Sequence, residues 1–403
     1  MLEFIKNIRE YKLYRWPFLK RVLYDTLHVQ RDVPSFDQSL RNTVQWIDAS
    51  FKSRGDGGSS AYYFLGHGWK GSYPETTGYI IPTLYNYSHY VNEPYWSVLA
   101  KKAAEWLISI QSEEGGWQGL QIGVKCELRI FNTAMILDGL IAAYKEEKDE
   151  IYLNSAVKGA KWILSKMDAN GLFKENTPVP GGSAGDMLVL ACMLNVIQYM
   201  PKDEQANYTP AIIRSLHAHL QLQTENGWFS KCNFADSYPG TALLHHVGYT
   251  LDGLIVSSEL LDDDTYCKAG LKLAKKLLEK FESEKTLPAY INSDWTSHYD
   301  LGGKYSLCLT GLSQVAISFH KIAKLSGELA YAKAADAIIL QVATISNWRS
   351  REKGLNYGVA GSYPISGNYQ KNKVVNWAAK YHAESILQSL GKNMPRKKIE
   401  QSC

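Results

Sequence analysis

Six cysteines in 403 residues, none in a Cys-x-x-Cys pair, set the first limits on this chain. Cys126, Cys192, Cys232, Cys267, Cys308 and Cys403 are too scattered for a disulfide framework or a zinc site. They read as reduced thiols in a reducing compartment. No stretch offers about 18 uninterrupted apolar residues, and the start of the sequence lacks the regions of a leader, so the expected location is cytoplasmic. Charge of one sign is lacking too: 44 Lys+Arg face 40 Asp+Glu, a formal +4 that is too mild for a nucleic-acid binder. Also missing are His-Glu-x-x-His, a phosphate-binding loop, a strand-linked dinucleotide fingerprint and a Gly-x-Ser-x-Gly elbow. The expectation is no metal, no cofactor and no serine-nucleophile chemistry.

Aromatic residues are abundant, with 26 Tyr and 11 Trp, and several sit in a repeat. Trp46-Ile47, Trp106-Leu107 and Trp162-Ile163 each lie near the end of an amphipathic pattern. A glycine turn follows each one: Gly57-Gly58, Gly115-Gly116-Trp117 and Gly171-Leu172-Phe173. A fourth turn, Gly227-Trp228-Phe229, has lost its Trp. The period of roughly 55–60 residues exceeds the about 34–47 of two-helix solenoids, which suits helix pairs with enlarged loops.

Amphipathic segments at 35–53, 94–111, 150–167, 205–222, 265–281 and 328–343 read as half-exposed outer helices. Segments at 76–88, 131–144, 186–199, 245–260, 306–325 and 374–390 are apolar nearly all round and read as buried partners. Two concentric rings of six satisfy both patterns. The expected fold is all-α, an (α/α)6 toroid over 35–392, with a helical extension at 1–34 and a basic tail at 393–403.

The two ends of such a toroid differ. Inner-to-outer links are short and polar (145–149, 201–204, 261–264), and the last of these, Asp262–Asp264, reads as a solvated turn. Outer-to-inner links run to 17–30 residues and are rich in Gly, Tyr, Trp and Ser. Loops beyond about 12–15 residues in a compact domain are usually functional. One rim therefore carries all the elaborated loops, and the inner-helix N-termini, with unpaired N–H groups, open there. Ser-Tyr-Pro recurs at 72–74, 237–239 and 362–364, where Pro fixes φ for the first helical turn and Tyr can line the rim. One deep pocket is expected there, lined by Trp69, Tyr73, Tyr79, Tyr249, Trp295, Tyr305 and Tyr363.

Glu75 is the first candidate for chemistry. A carboxylate in a first helical turn can be a cap favoured by the dipole or an acid/base group. Thr76, Thr77 and Tyr79 on the same helix, and His67 and Trp69 ahead of it, support the second reading. His245 and His246 open the fourth inner helix and point in different directions, so one of them faces the cavity. Tyr249 lies one turn beyond His245, a spacing that suits a proton-transfer pair. The fifth loop gathers Asp294, Trp295, His298 and Asp300, and one of the two carboxylates reads as a turn residue. Glu127, Arg129, Asn132, Asp186, Tyr305, Tyr363 and Asn376-Trp377 complete the rim candidates.

Gln111-Ser112-Glu113-Glu114-Gly115-Gly116-Trp117 resembles the Q-x-x-x-G-x-W repeat of squalene-hopene-type cyclases, where the motif staples helix ends. The acidic D-x-D-D motif of those enzymes is on no inner helix, which argues against terpene chemistry. Ser72–Thr83, Asn132-Thr133, Leu244–Thr250, Cys308–Gln314 and 361–365 with 376–380 together resemble bacterial exopolysaccharide-biosynthesis proteins of the VpsJ-like group. The Asp186 region departs from that pattern. The resemblance implies a carbohydrate-active enzyme of exopolysaccharide or surface-glycan biosynthesis, acting on an oligosaccharide, a polysaccharide or a lipid-linked precursor.

Three reactions stay open. Hydrolysis needs two carboxylates about 5–5.5 or 6.5–9.5 Å apart, for which Glu75 with Asp300 or Asp294 is the best pair. A lyase or epimerase needs a base at a sugar carbon, where His245 and Tyr249 fit better. The alternative from another class is a noncatalytic glycan-binding or assembly factor. In the extension, Leu2, Phe4, Ile5, Ile8, Trp16 and Phe18 alternate with Lys6, Arg9, Lys12, Arg15, Lys20 and Arg21. With the tail Arg396-Lys397-Lys398, this segment either touches an anionic membrane or packs along the outer ring.

Overall fold

The two kinds of helical pattern separate into two rings. The computed structural model describes residues 8–234, 240–299 and 305–391. A short helix, α1 (Trp16–Thr26), precedes an alternating series: α2 (Phe36–Lys52), α3 (Pro74–Val91), α4 (Pro94–Ser109), α5 (Ile130–Glu147), α6 (Glu150–Ser165), α7 (Asp186–Ile197), α8 (Lys202–Leu220), α9 (Leu244–Leu261), α10 (Asp264–Glu284), α11 (Leu309–Ser326), α12 (Leu329–Ser346) and α13 (Asn376–Ser389). From α2 onward, even-numbered helices are outer and odd-numbered ones inner. Each inner helix packs on its two inner neighbours, and α13 packs back on α3, so the ring closes. The fold is the (α/α)6 toroid that the sequence predicts, with helix ends displaced by no more than three residues.

Burial follows the pattern that produced each helix. Every residue of α7 is buried, as an apolar helix without a polar face requires. Outer α2 buries only one stripe, including Leu40, Val44, Trp46 and Ile47. The short links are explained by their ends. Inner α3, α5 and α9 stop at left-handed residues, Asn92 (φ 54°), Lys148 (φ 57°) and Asp262 (φ 56°). Such a residue turns the chain back at once. Asp149 and Asp263 then cap the next helices by accepting from the N–H groups of Ile151 and Thr265.

The tryptophan–glycine repeat is a docking device. Gly57 and Gly58 lie against the ring of Trp106, and Gly116 lies against the ring of Trp162. A Cβ on Gly58 would stand 2.5 Å from the Trp106 ring. The last loop closes the circle: Trp46 Nε1 donates to Gly354 O at 2.9 Å, and Gly358 sits against the same ring. Gln111 Nε2 adds a staple, donating to Gly115 O (2.8 Å) and to Ser155 O on the next outer helix (3.0 Å).

Three small antiparallel sheets tie the long loops to one another at a single rim. β1 (Tyr62–Phe64) pairs with β2 (Gly68–Trp69) and with β7 (Lys373–Val375). β3 (Thr241–Leu243) pairs with β4 (Tyr290–Asn292), and β5 (Leu307–Cys308) with β6 (Ser362–Tyr363). Helix α12 is the one described helix long and apolar enough by composition to cross a membrane; here it is an outer helix, half of it buried in the toroid.

The extension crosses the loop rim instead of running along the outer ring. Phe18, Arg21 and Asp25 of α1 are buried. Asp25 is ion-paired to Arg21 (3.1 Å) and Arg31 and accepts from the Ile365 N–H (3.0 Å). Phe18 thus packs inward, contrary to its grouping with Trp16, because α1 buries that face on the last loop. Leu2, Phe4, Ile5, Lys6 and the basic tail lie outside the described residues.

Inner helices α3 and α5 meet backbone to backbone at Gly78 and Gly139, where a Cβ on Gly139 would lie 2.2 Å from Gly78 O. Gly139→Ala should therefore cost about 3 kcal/mol by overpacking. Gly270→Ala on α10, where the nearest atoms are at 3.6 Å, should be neutral or mildly stabilising. Urea unfolding of the two variants checks this; equal midpoints would show that the close approach is absent.

Candidate active site

Glu75 is the second residue of α3, behind Pro74 at the helix start. Its side chain is 9 % exposed and points inward to a group of tyrosines: Tyr73, Tyr79, Tyr249, Tyr369 and Tyr381. Burial raises the carboxyl from its usual 4.5 to about 7, and a hydrogen bond with Tyr73 opposes part of that rise. Burial, then the nearby carboxylate, holds the Tyr73 hydroxyl well above its ordinary range, and the other four stay protonated chiefly through burial as well.

His245 enters from the first turn of α9. Its Nδ1 is 2.7 Å from Gln314 Oε1 on α11, so Nδ1–H donates and Nε2 keeps the lone pair. Burial lowers its pKa to about 4, so the ring is neutral near pH 7. The ring lies 4.3 Å from that of Tyr249, 5.6 Å from Tyr369 and 6.4 Å from Tyr381. Helices α3 and α9 are the first and fourth of six inner helices. Glu75 and His245 thus approach the tyrosines from opposite sides of the toroid axis. His246 points elsewhere, under Phe234 at 4.1 Å, and burial lowers its pKa to about 3.

The walls are held by specific contacts. Asn132 Nδ2 donates to Tyr73 Oη at 3.3 Å, and Trp377 Nε1 donates to Tyr369 Oη at 3.0 Å. The Trp377 ring stands edge-on to Tyr73 and Tyr62, at 6.4 and 6.5 Å. Asn376 Nδ2 reaches Ser59 Oγ (2.9 Å) and Thr76 Oγ1 (2.8 Å), joining the last inner helix to the first at the mouth. Beneath, Lys380 Nζ sits 4.0 Å over the Tyr381 ring and 5.3 Å over Tyr79, and is paired with Glu384. Arg129, at the N-cap of α5, is paired with Glu127 at 3.0 Å.

Other sequence candidates lie away from this cluster. Asp294 is an exposed turn residue whose Oδ1 accepts from the Thr296 hydroxyl (2.6 Å) and N–H (3.0 Å), bonds that lower its pKa. Trp295 packs on Trp228 at 5.7 Å, and its Nε1 donates to Asn226 O. Trp69 packs on Trp46 of α2 and on Tyr63, behind the mouth. His67 is exposed and stacked on Phe64 at 4.5 Å. His298 is tied to Asn292 Oδ1, and Tyr363 faces His28 and Arg31 of the extension. Asp186 accepts from the Ser183 N–H in the preceding loop and lies 3.4 Å from Nε2 of the buried His219. Asp300 and the Tyr of Ser237-Tyr238-Pro239 lie outside the described residues.

Two segments of the rim where a single deep pocket is expected, 235–239 and 300–304, lie outside the described residues. Among the described residues, a shallow cavity of about 650 Å³ lies on α8, beside Lys202, Arg214 and His217, and another of about 720 Å³ lies beside Glu284, Ser297, Tyr299 and Tyr305. Tyr305 belongs to the second. Neither holds a buried acid or base, so the tyrosine–carboxyl cluster is the better candidate. Among the described residues no group of three His, Cys, Asp or Glu side chains could hold a metal ion. Sequence reading misses Tyr369, Tyr381, Gln314 and Lys380. Tyr381 stands one turn past Trp377 and Gln314 is a polar residue in an apolar helix, but Tyr369 lies in an irregular loop with no period to reveal it.

No family model and no curated protein matches this sequence. Solved structures do match in fold. An unsaturated glucuronyl hydrolase specific for heparin superposes with a TM-score of 0.67 at 12 % identity, covering 88 % of this chain and 97 % of that one. Cellobiose 2-epimerase from Bacillus thermoamylovorans gives 0.67 at 13 %, covering 87 % and 99 %. Cellobiose 2-epimerase from Spirochaeta thermophila gives 0.66 at 13 %, covering 89 % and 98 %. At such identities the likeness shows the toroid and no more.

The raised carboxyl makes a stability test. Between pH 4.5 and 7 the folded chain keeps a proton on Glu75 that the unfolded chain has released. Stability therefore falls as pH rises through that window, by about 3 kcal/mol in full. Glu75→Gln removes this cost, so the variant should melt above the parent at pH 8.5 and close to it at pH 4. Identical melting temperatures at the higher pH would mean the carboxyl is solvated.

Proposed function

We propose that this chain is a carbohydrate-active enzyme that works by proton transfer on a saccharide bound at the mouth of the inner ring. The observation that carries this reading is one buried carboxyl, Glu75, set across a tyrosine cluster from one neutral imidazole, His245. Near pH 7 the carboxyl has a proton to give and His245 Nε2 has a lone pair to take one. Tyrosine faces and hydroxyls suit sugar rings. The toroid shared with sugar epimerases and a glucuronyl hydrolase supports a saccharide as the substrate class.

Epimerisation fits the residue set best. His245 Nε2 takes the proton from the carbon beside the sugar carbonyl while Glu75 protonates the carbonyl oxygen. The enediol then turns its other face to the imidazolium, His245 returns the proton to the same carbon, and the hydroxyl proton goes back to Glu75, which leaves both groups as they began. Hydrolysis is the second reading, favoured by the glucuronyl hydrolase likeness and by the proton that Glu75 retains. Glu75 would then protonate the glycosidic oxygen while His245 deprotonates the attacking water. The biosynthetic setting implied by the VpsJ-like resemblance, a lipid-linked precursor and a cytoplasmic location belong to this proposal.

Incubation with oligosaccharides from the native polymer, read by mass spectrometry and NMR, separates the outcomes. Unchanged mass with altered stereochemistry is epimerisation, a gain of one water at cleavage is hydrolysis, and an unsaturated product is elimination. Glu75→Gln and His245→Ala should each lower turnover by roughly 10²–10⁴-fold. Turnover should fall above about pH 7 as Glu75 loses its proton. Oligosaccharide binding with no product under any condition would leave a glycan-binding factor and end the catalytic reading.

A further inference from the structure

The densest run of exposed apolar side chains lies in the extension. Tyr14, Trp16, Leu23, Leu27, Val29 and Val33, all in the extension, are 70, 63, 42, 70, 37 and 64 % exposed. Leu120, Ile122 and Val124, on the long loop ahead of α5, form a second exposed group on the same rim. On α1, Trp16 and Leu23, with Leu27 at its C-cap, share one helical face, while Phe18, Arg21 and Asp25 on the other face are buried. The ridge is held in place at the mouth. Asp25 accepts from the Ile365 N–H, His28 is 3.3 Å from Tyr363 Oη, and Tyr11 packs edge-on to Phe64 at 5.7 Å.

Charge singles out the same sector. Residues 8–34 hold six cations (Arg9, Lys12, Arg15, Lys20, Arg21, Arg31) against three carboxylates (Glu10, Asp25, Asp32). The loop 347–375 on which they pack holds five (Arg349, Arg351, Lys353, Lys371, Lys373) against one, Glu352. This sector alone exceeds the formal +4 of the whole chain. An apolar ridge with basic flanks matches an anionic bilayer, which rewards apolar burial and positive charge together. A nucleic acid would leave the ridge unused.

We propose that the extension and the last rim loop dock the toroid, mouth first, on an anionic membrane surface, where the saccharide is presented on a lipid. The docking stands on the surface alone; the role of the saccharide rests on the function proposed above.

Flotation of the full chain with vesicles of phosphatidylcholine, with and without an equal part of phosphatidylglycerol, tests it. Capture should require phosphatidylglycerol and be released by high salt. Trp16→Ala with Leu27→Ala should weaken capture by roughly tenfold or more, and Arg349→Glu with Arg351→Glu by a similar factor. All four residues are exposed, so unchanged melting temperatures should accompany the loss. No capture at low salt, capture untouched in both variants, or tighter binding to a DNA duplex than to the vesicles would each overturn the docking. Turnover of a soluble oligosaccharide should be unchanged in these variants. A failure of the saccharide reading would therefore show there, independently of the vesicles.

Discussion

The contact on which the toroid depends is a flat glycine turn pressed against the tryptophan of the next outer helix. Gly57 and Gly58 meet Trp106, Gly116 meets Trp162, and Gly358 meets Trp46. No side chain larger than hydrogen leaves room for the ring at Gly58, so the turn and the tryptophan specify each other. The contact fixes where each long loop starts, and the left-handed stops of α3, α5 and α9 keep the opposite links short. Together they place every elaborated loop on one rim. Where the tryptophan has been lost the turn remains, and Gly171 lies against Ser215. The docking surface outlasts the residue that announces it.

A second constraint acts at the mouth. Glu75 stands where two effects oppose each other. A carboxylate in a first helical turn gains about 0.3–1 kcal/mol from the helix dipole. Taking it out of water raises its pKa to about 7, which corresponds to about 3 kcal/mol against the charged form. Burial wins, and the carboxyl keeps its proton near neutrality. No side chain caps the start of α3 by a hydrogen bond, so the dipole is the favourable term left to set against burial. The tyrosines do not reverse the balance: the hydrogen bond from Tyr73 opposes it only in part.

The ring of helices was legible because its signals are periodic and local. Apolar spacing marks α3, α5, α7, α9, α11 and α13, and polar faces mark their partners. Within the site, Glu75, His245, Tyr249 and Tyr79 were readable because they stand at the starts of apolar helices or one turn beyond. Trp69 and Trp295 were misplaced by the same reasoning applied to loops, where sequence distance from a helix start does not say which way a side chain turns. Trp69 turns back to Trp46, and Trp295 to Trp228. Tyr369 comes into the cluster from an irregular segment whose path is set by contacts more than 300 residues away in sequence, such as Asp25 with Ile365. No local pattern encodes that.

That long-range contact gives the extension a role in the site's architecture. Asp25, fully buried, is shared by Arg21 and Arg31 and accepts the Ile365 N–H. Peeling the segment away would break the bonds from the Ile365 N–H to Asp25 and from Arg31 to the Ile345 carbonyl and would expose Phe18, so it does not detach cheaply. The loop it holds continues through Ser362, whose hydroxyl donates to Tyr369 O, to the Tyr369 ring beside His245. One short chain of contacts thus joins a surface helix to the wall of the candidate site. The change of pattern near residue 34 is a boundary in sequence and not in packing: the helix that shows Trp16 and Leu27 to solvent holds in place, on its buried face, the loop that completes the tyrosine cluster.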